Sequence, residues 1–182
     1  AKASRLLLLG LGKPESLDEK GLETLGAQIA GRLYAAGETA ASLEIDVPKN
    51  AKVKKAELAA HLAFGAKLKS YAFDKYRTKN LEEFEKKLKT VRIVSAEVAA
   101  AKKAYAGLDA VAEGIFLARD LVNEPANTLN PEVLAGIAKK VAEESGLEFR
   151  LIEAPELRKL GAGAILGVGG GSKVPPCLIQ LT

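Results

Sequence analysis

Three times between Arg5 and Tyr76 the apolar residues change their spacing, and this switching constrains the fold more than any other feature of the chain. From Arg5 the chain runs through Leu6 to Leu9 and closes on Gly10 and Gly12, the pattern of a strand buried on both faces. Asp18 to Ala36 then sets Leu22, Leu25, Ile29, Leu33 and Ala36 at three- and four-residue intervals, which predicts a helix that Gly37 can end. Thr39 to Val47 alternates, with Ala41, Leu43, Ile45 and Val47 on one face and Pro48 stopping the strand. From Lys54 to about Tyr76 the helical period returns in Leu58, Leu62 and Ala66. Strand, helix, strand, helix is the rhythm of an α/β fold.

Beyond this, residues 77–90 are dense in charge and predict a solvated loop or short surface helix, because Glu82, Glu83 and Glu85 offset the lysines around Leu81, Phe84 and Leu88. Val91 to Val98 reads as a strand. Ala99 to Asn123 carries the longest helical pattern, with Ala101, Ala104, Leu108, Val111, Ile115, Ala118 and Val122 on one stripe, and is long enough to connect two domains. Asn123 to Pro131 is a turn-rich break. Asn130 can cap the next helix with Pro131 at its first position, and Gly146 can close it. Leu147 to Ile152 then predicts a strand, Pro155 to Leu160 a short helix, and Ala164 to Val168 another strand. Gly169 to Pro176 forms a loop before a terminal strand that begins at Cys177. The expected division is residues 1–98 as an N-terminal domain, 99–123 as a connecting helix, and 124–182 as the start of a second domain.

Composition removes whole classes of function. The 182 residues are 48% hydrophobic, enough to bury a core and too many for a disordered chain. No apolar run approaches the ~20 residues needed to cross a bilayer, so neither a membrane span nor a secretory signal is expected. One cysteine, Cys177, permits no internal disulfide and fits a reducing, cytoplasmic compartment. One histidine, His61, leaves no partner for a paired-histidine zinc motif. It lies in the Ala-rich stretch Leu58-Ala-Ala-His-Leu-Ala-Phe64 without a nucleophile signature beside it, which reads as a structural position. A net charge of +4 with interleaved signs permits weak attraction to anions or nucleic acid. The densest basic neighbourhood is Lys52, Lys54, Lys55, Lys67, Lys69, Lys75, Arg77 and Lys79.

The glycine clusters invite a phosphate-loop reading that their spacing does not support. Glu15 stands where Gly10-Leu-Gly12 would need a third glycine, and Ser172 stands there after Gly167-Val-Gly169. Gly171-Ser172-Lys173 lacks the Gly-Lys-Ser/Thr order of a P-loop. Tight turns and close packing are the expected uses. Carboxylates lie on helix faces and in charged loops rather than converging as a two-metal site requires. Cys177, beside a proline pair in an apolar strand, reads as core. No catalytic, cofactor-binding or metal-binding residue is assigned.

The run Glu113-Gly-Ile-Phe-Leu-Ala-Arg-Asp-Leu-Val-Asn-Glu-Pro-Ala-Asn127, followed by Leu129-Asn-Pro-Glu132, resembles the junction segment of the leucyl aminopeptidase family, the metallo-exopeptidases also called cytosol aminopeptidases. Other segments agree in order: Arg5 to Lys13 is similar to the family's strand ending in a Gly-x-Gly-Lys turn. Gly65 to Lys79 resembles its Tyr-x-Phe-Asp-x-Tyr-Lys-Thr-Lys segment with Arg77 for the first Lys, and Leu160 to Pro176 its Leu-Gly-x-Gly…Val-Gly-x-Gly-Ser stretch.

The resemblance implies a truncated macro-like three-layer α/β domain, a long connecting helix, and the first α/β unit of a catalytic domain. It implies an enzyme that releases N-terminal residues, leucine among them, from peptides with two divalent metal ions, manganese or zinc, and that assembles as a hexamer. In the family the metal ligands and the catalytic Lys and Arg follow the strand at which this sequence stops, so none is carried onto a position here. The chain is expected to be a middle portion, inactive alone and holding no cofactor. The alternatives are a nucleotide- or DNA-binding macro-like module and a non-catalytic oligomer scaffold.

Overall fold

The computed structural model describes residues 5–13, 17–45, 53–79 and 88–182. The expected strand end at Val47 and Pro48, Lys52, and most of the charged stretch around Leu81 and Phe84 lie outside the described residues. The chain divides into two compact units, residues 1–120 and 121–182.

In the first unit, α1 (Glu19–Ala35) begins where Asp18 accepts a hydrogen bond from the Gly21 amide at 2.7 Å, and ends before Gly37 at φ +72°. Such a cap contributes about 1 kcal/mol. After β1 (Ala40–Leu43) comes α2 (Lys55–Ser70), then β2 (Thr90–Ile93), which pairs parallel to β1 from Ala40↔Thr90 to Leu43↔Ile93. Parallel neighbours require a crossover, and α2 supplies it. Leu22, Leu25 and Ile29 of α1 meet Leu58 and Leu62 of α2 and Leu17 before α1, with Leu43, Ile45 and Ile93 packed against the cluster.

The two helices meet closely through glycine. A Cβ on Gly26 would overlap the Leu62 carbonyl, and one on Gly65 would overlap the Glu23 carbonyl.

Several boundaries differ from the sequence reading. Residues 5–9 form no ladder; Leu6 is 82% and Leu8 83% exposed, while Leu9 and Leu11 pack toward the core. A strand needs a neighbour for its backbone groups, and β1 and β2 take each other. α2 stops at Ser70 rather than near Tyr76, because the Ser70 hydroxyl bonds back to the Lys67 carbonyl at 2.7 Å and Tyr71 turns to ψ 131°. β2 ends at Ile93; Val94 donates to the Leu43 carbonyl at 2.8 Å before the chain turns, and α3 (Val98–Asn123) follows. On α3 the buried position is Ala112, whereas Val111 and Val122 of the expected stripe are 52% and 85% exposed. Ala101, Ala104, Leu108 and Ile115 of the stripe are half-buried on the inward face, while Val111, Ala118 and Val122 turn to solvent.

The second unit is built around α4 (Pro131–Ser145), β3 (Phe149–Glu153), α5 (Ala154–Lys159), α6 (Gly163–Gly169) and β4 (Cys177–Leu181). Asn130 caps α4 by accepting from the Val133 amide at 3.1 Å, Pro131 opens the helix, and Gly146 at φ +69° closes it. β3 and β4 pair antiparallel from Phe149↔Leu181 to Glu153↔Cys177, and the buried apolar residues of the unit are Leu157, Ile152, Ala135, Ala142 and Ala154. The expected strand Ala164–Val168 is a helix, α6. A short apolar run is compatible with either state, and with no ladder to join, the backbone satisfies itself through bonds such as Leu166 to the Ala162 carbonyl at 3.2 Å.

Candidate functional site

The Gly10–Gly12 turn and the start of α1 border an open concavity of about 470 Å³, with Thr24 and Gln28 on its wall. Its chemistry is not that of a phosphate cradle. The Asp18 carboxylate already occupies the helix end that would attract an anion, bonding the Gly21 amide. In the other glycine cluster a Cβ on Gly169 would come within 2.6 Å of the Pro176 ring, so this glycine serves a close approach. Glu15, the residue that breaks the first fingerprint, lies outside the described residues.

The most concentrated electrostatics lie where α2 faces α3. Lys67 Nζ donates to Asp109 Oδ1 at 2.5 Å and to Glu113 Oε1 at 2.6 Å, and stands 6.0 Å from the Phe116 ring centroid. Just past the end of α2, the Tyr71 hydroxyl donates to Asp120 at 2.9 Å. Arg119 reaches back to the Leu68 carbonyl at 3.1 Å, its guanidinium 5.3 Å from the Tyr71 ring. Asp109, Glu113, Phe116 and Asp120 share one face because they recur every three or four residues.

Burial alone would pull the Lys67 ammonium down, but its bonds to Asp109 and Glu113 outweigh this and hold it above the usual lysine range. The Asp109 carboxyl is held below its usual value, first by Lys67 and then by Tyr105, whose own phenol is pushed up to about 12 by burial and by Asp109. A lysine so held stays protonated and is no base or nucleophile.

The pH dependence follows from these directions. Asp109, lowered on folding, contributes stability above the ordinary carboxylate value of about 4, lost as pH falls through its folded value. Lys67, raised on folding, contributes below about pH 10, lost as pH rises through its folded value. Asp109→Asn is therefore expected to lower the thermal midpoint near neutrality and to converge with the wild type below about pH 4. A gap that stays constant into acid would contradict the pairing.

His61, which the sequence reading treats as structural, is buried, and its Nδ1 lies 3.0 Å from Glu23 Oε1. Cys177 is half-buried, with Sγ 3.6 Å from the Pro131 carbonyl. The basic neighbourhood is partly neutralised: Lys67 is paired as described, Lys54 lies 3.5 Å from Glu57, and Lys75 sits over the Tyr76 ring. Lys52 lies outside the described residues. Sequence reasoning missed the Lys67 cluster; the signal available for it was the acid pair Asp109 and Glu113 at four-residue spacing, which asks for a cation.

The donor set for a divalent metal fails among the described residues, which hold no group of three or more His, Cys, Asp or Glu side chains placed for one. Asp109 and Glu113, which approach such a group, are filled by an ammonium. Two metal ions, as the sequence resemblance implies, do not fit here.

Comparison with known proteins places these units. Residues 1–80 match the model described as "Cytosol aminopeptidase family, N-terminal domain", and residues 116–182 the one described as "Cytosol aminopeptidase family, catalytic domain". The chain is 42% identical over 182 residues to a Sinorhizobium fredii protein named "Probable cytosol aminopeptidase", covering 98% of this chain and 36% of that one. It is 42% identical to its Rhizobium johnstonii namesake over 98% of this chain and 35% of the relative. The chain thus spans about a third of the length of the curated relatives it matches.

Among solved structures, the bottromycin maturation enzyme BotP in complex with Mn superposes with a TM-score of 0.78 at 30% identity, over 94% of this chain and 35% of BotP. A tomato leucine aminopeptidase mutant shares the fold, with a TM-score of 0.75 at 22% identity, over 91% of this chain and 34% of its own. With both domain models of one family on the sequence in order, the chain belongs to the cytosol aminopeptidase family.

Proposed function

We propose that this chain is part of a metal-dependent aminopeptidase that releases N-terminal amino acids, leucine among them, from peptides. The observation that carries the reading is the succession of N-terminal and catalytic domain models along one sequence. In this reading residues 1–98 are the N-terminal domain, 99–123 the connecting helix, and 124–182 the start of the catalytic domain. Metal ligands and catalytic groups then lie outside these residues. BotP, solved in complex with Mn, supports manganese, with zinc the alternative, in the whole enzyme. A cytoplasmic location is proposed from the name of the cytosol aminopeptidase relatives, and a homo-hexamer from the sequence resemblance alone. No helix among the described residues is long and apolar enough to cross a membrane. A DNA-binding role draws less support, since Lys67 of the basic neighbourhood is already paired with two carboxylates.

The test is an assay of the full-length gene product and of this 182-residue chain with a leucyl chromogenic substrate and manganese or zinc. Turnover is expected from the full-length protein and only background from the chain alone. A full-length product inactive with both metals on any peptide would refute the peptidase reading. Metal-dependent turnover by the homogeneous chain would refute the placement of the site elsewhere.

A further inference from the structure

We propose that α3 is a dockable arm, held to the first unit by an ionic and aromatic clamp centred on Lys67 that releases without unfolding the α1–α2 core. Three observations support it. The buried core cluster of the first unit draws its residues from α1, α2 and the segment before α1, and includes none from α3. Across its length α3 buries one side chain fully, Ala112. Its described side-chain bonds to this region come from the last turns of α2 and the residue just after it: Lys67 to Asp109 and Glu113, Arg119 to the Leu68 carbonyl, and Tyr71 to Asp120.

Such contacts differ physically from those that hold α1 to α2. The carboxylates of Asp109 and Glu113 are 44% and 66% exposed, so salt screens them and water competes for them. Without Lys67, they would face each other one helical turn apart as like charges on α3. The ammonium therefore both docks the helix and relieves repulsion within it. Because α3 runs unbroken from Val98 to Asn123, past the division after Asp120, the state of the clamp bears on the helix that enters the second unit.

Hydrogen exchange on the full-length protein tests the arm. Amides of α3 between Ala101 and Asp120 are expected to exchange roughly tenfold faster in Lys67→Gln than in the wild type, while those of α1 and α2 around Ile29 and Leu62 keep their protection. Raising NaCl from low salt to about 0.5 M should move the wild type in the same direction, and Lys67→Arg should restore most of the protection. Exchange of α3 that tracks the α1–α2 core under every condition, with no response to salt, would overturn the proposal. Loss of the whole fold in Lys67→Gln would overturn it too, since the clamp would then belong to the core.

Discussion

Gly65→Ala is expected to destabilise the first unit by about 2–4 kcal/mol, although alanine is the better helix former by about 1 kcal/mol. The methyl group would fall on the Glu23 carbonyl, part of the α1 backbone, and backbone cannot rotate away as a side chain can. Relief requires α1 and α2 to separate, opening the contacts of Leu22 and Leu25 with Leu58 and Leu62. Gly26→Ala should behave alike against the Leu62 carbonyl. The same substitution at Gly107 or Gly114 of α3, where an added Cβ meets nothing within 4 Å, should instead stabilise by about 0.5–1 kcal/mol. Urea denaturation of these variants gives the comparison directly. Equal effects at Gly65 and Gly107 would mean that the helix crossing is looser than described.

For the second unit the corresponding substitution is Leu157→Ala. Leu157 is fully buried on α5, and the other buried apolar residues of this unit, Ile152, Ala135, Ala142 and Ala154, are mostly small. Large-to-small changes at such sites cost about 2–5 kcal/mol, toward the upper end where the surroundings cannot collapse. The loss should appear as faster amide exchange in α4 and β3, with α1 and α2 little altered, because residues 121–182 form their own compact unit. A uniform loss of protection over both units would show instead that they unfold as one.

What was legible in the sequence followed from local chemistry. Asp18, Asn130, Pro131, Gly37 and Gly146 mark helix ends by side-chain acceptors or by permitted backbone angles, and the structure puts helix ends there. Leu22, Leu25, Ile29, Leu58 and Leu62 announced inward faces by their period, and they form the core. Illegible were features that depend on a distant partner. Leu6 to Leu9 and Ala164 to Val168 read as strands because apolar runs are ambiguous until it is known whether a ladder awaits them. Gly26 and Gly65 look in sequence like weak points in two helices, since nothing local reveals the opposing carbonyl. Glu23 as the partner of His61 could be found only in three dimensions.

The parallel register of β1 and β2 also sets an order of events at the ribosome. Ala40 lies in register with Thr90, so β1 leaves the exit tunnel 50 residues ahead of its neighbour. At about 5–20 residues per second the strand waits some 2.5–10 seconds with both edges unpaired. α2 emerges during that interval and can close against α1 through Gly26 and Gly65, covering Leu22 and Leu25 before any ladder exists. The helix pair can therefore act as an early shelter for a nascent strand, and a substitution that delays its closure would lengthen the time during which Leu43 is open to chaperones or to another chain.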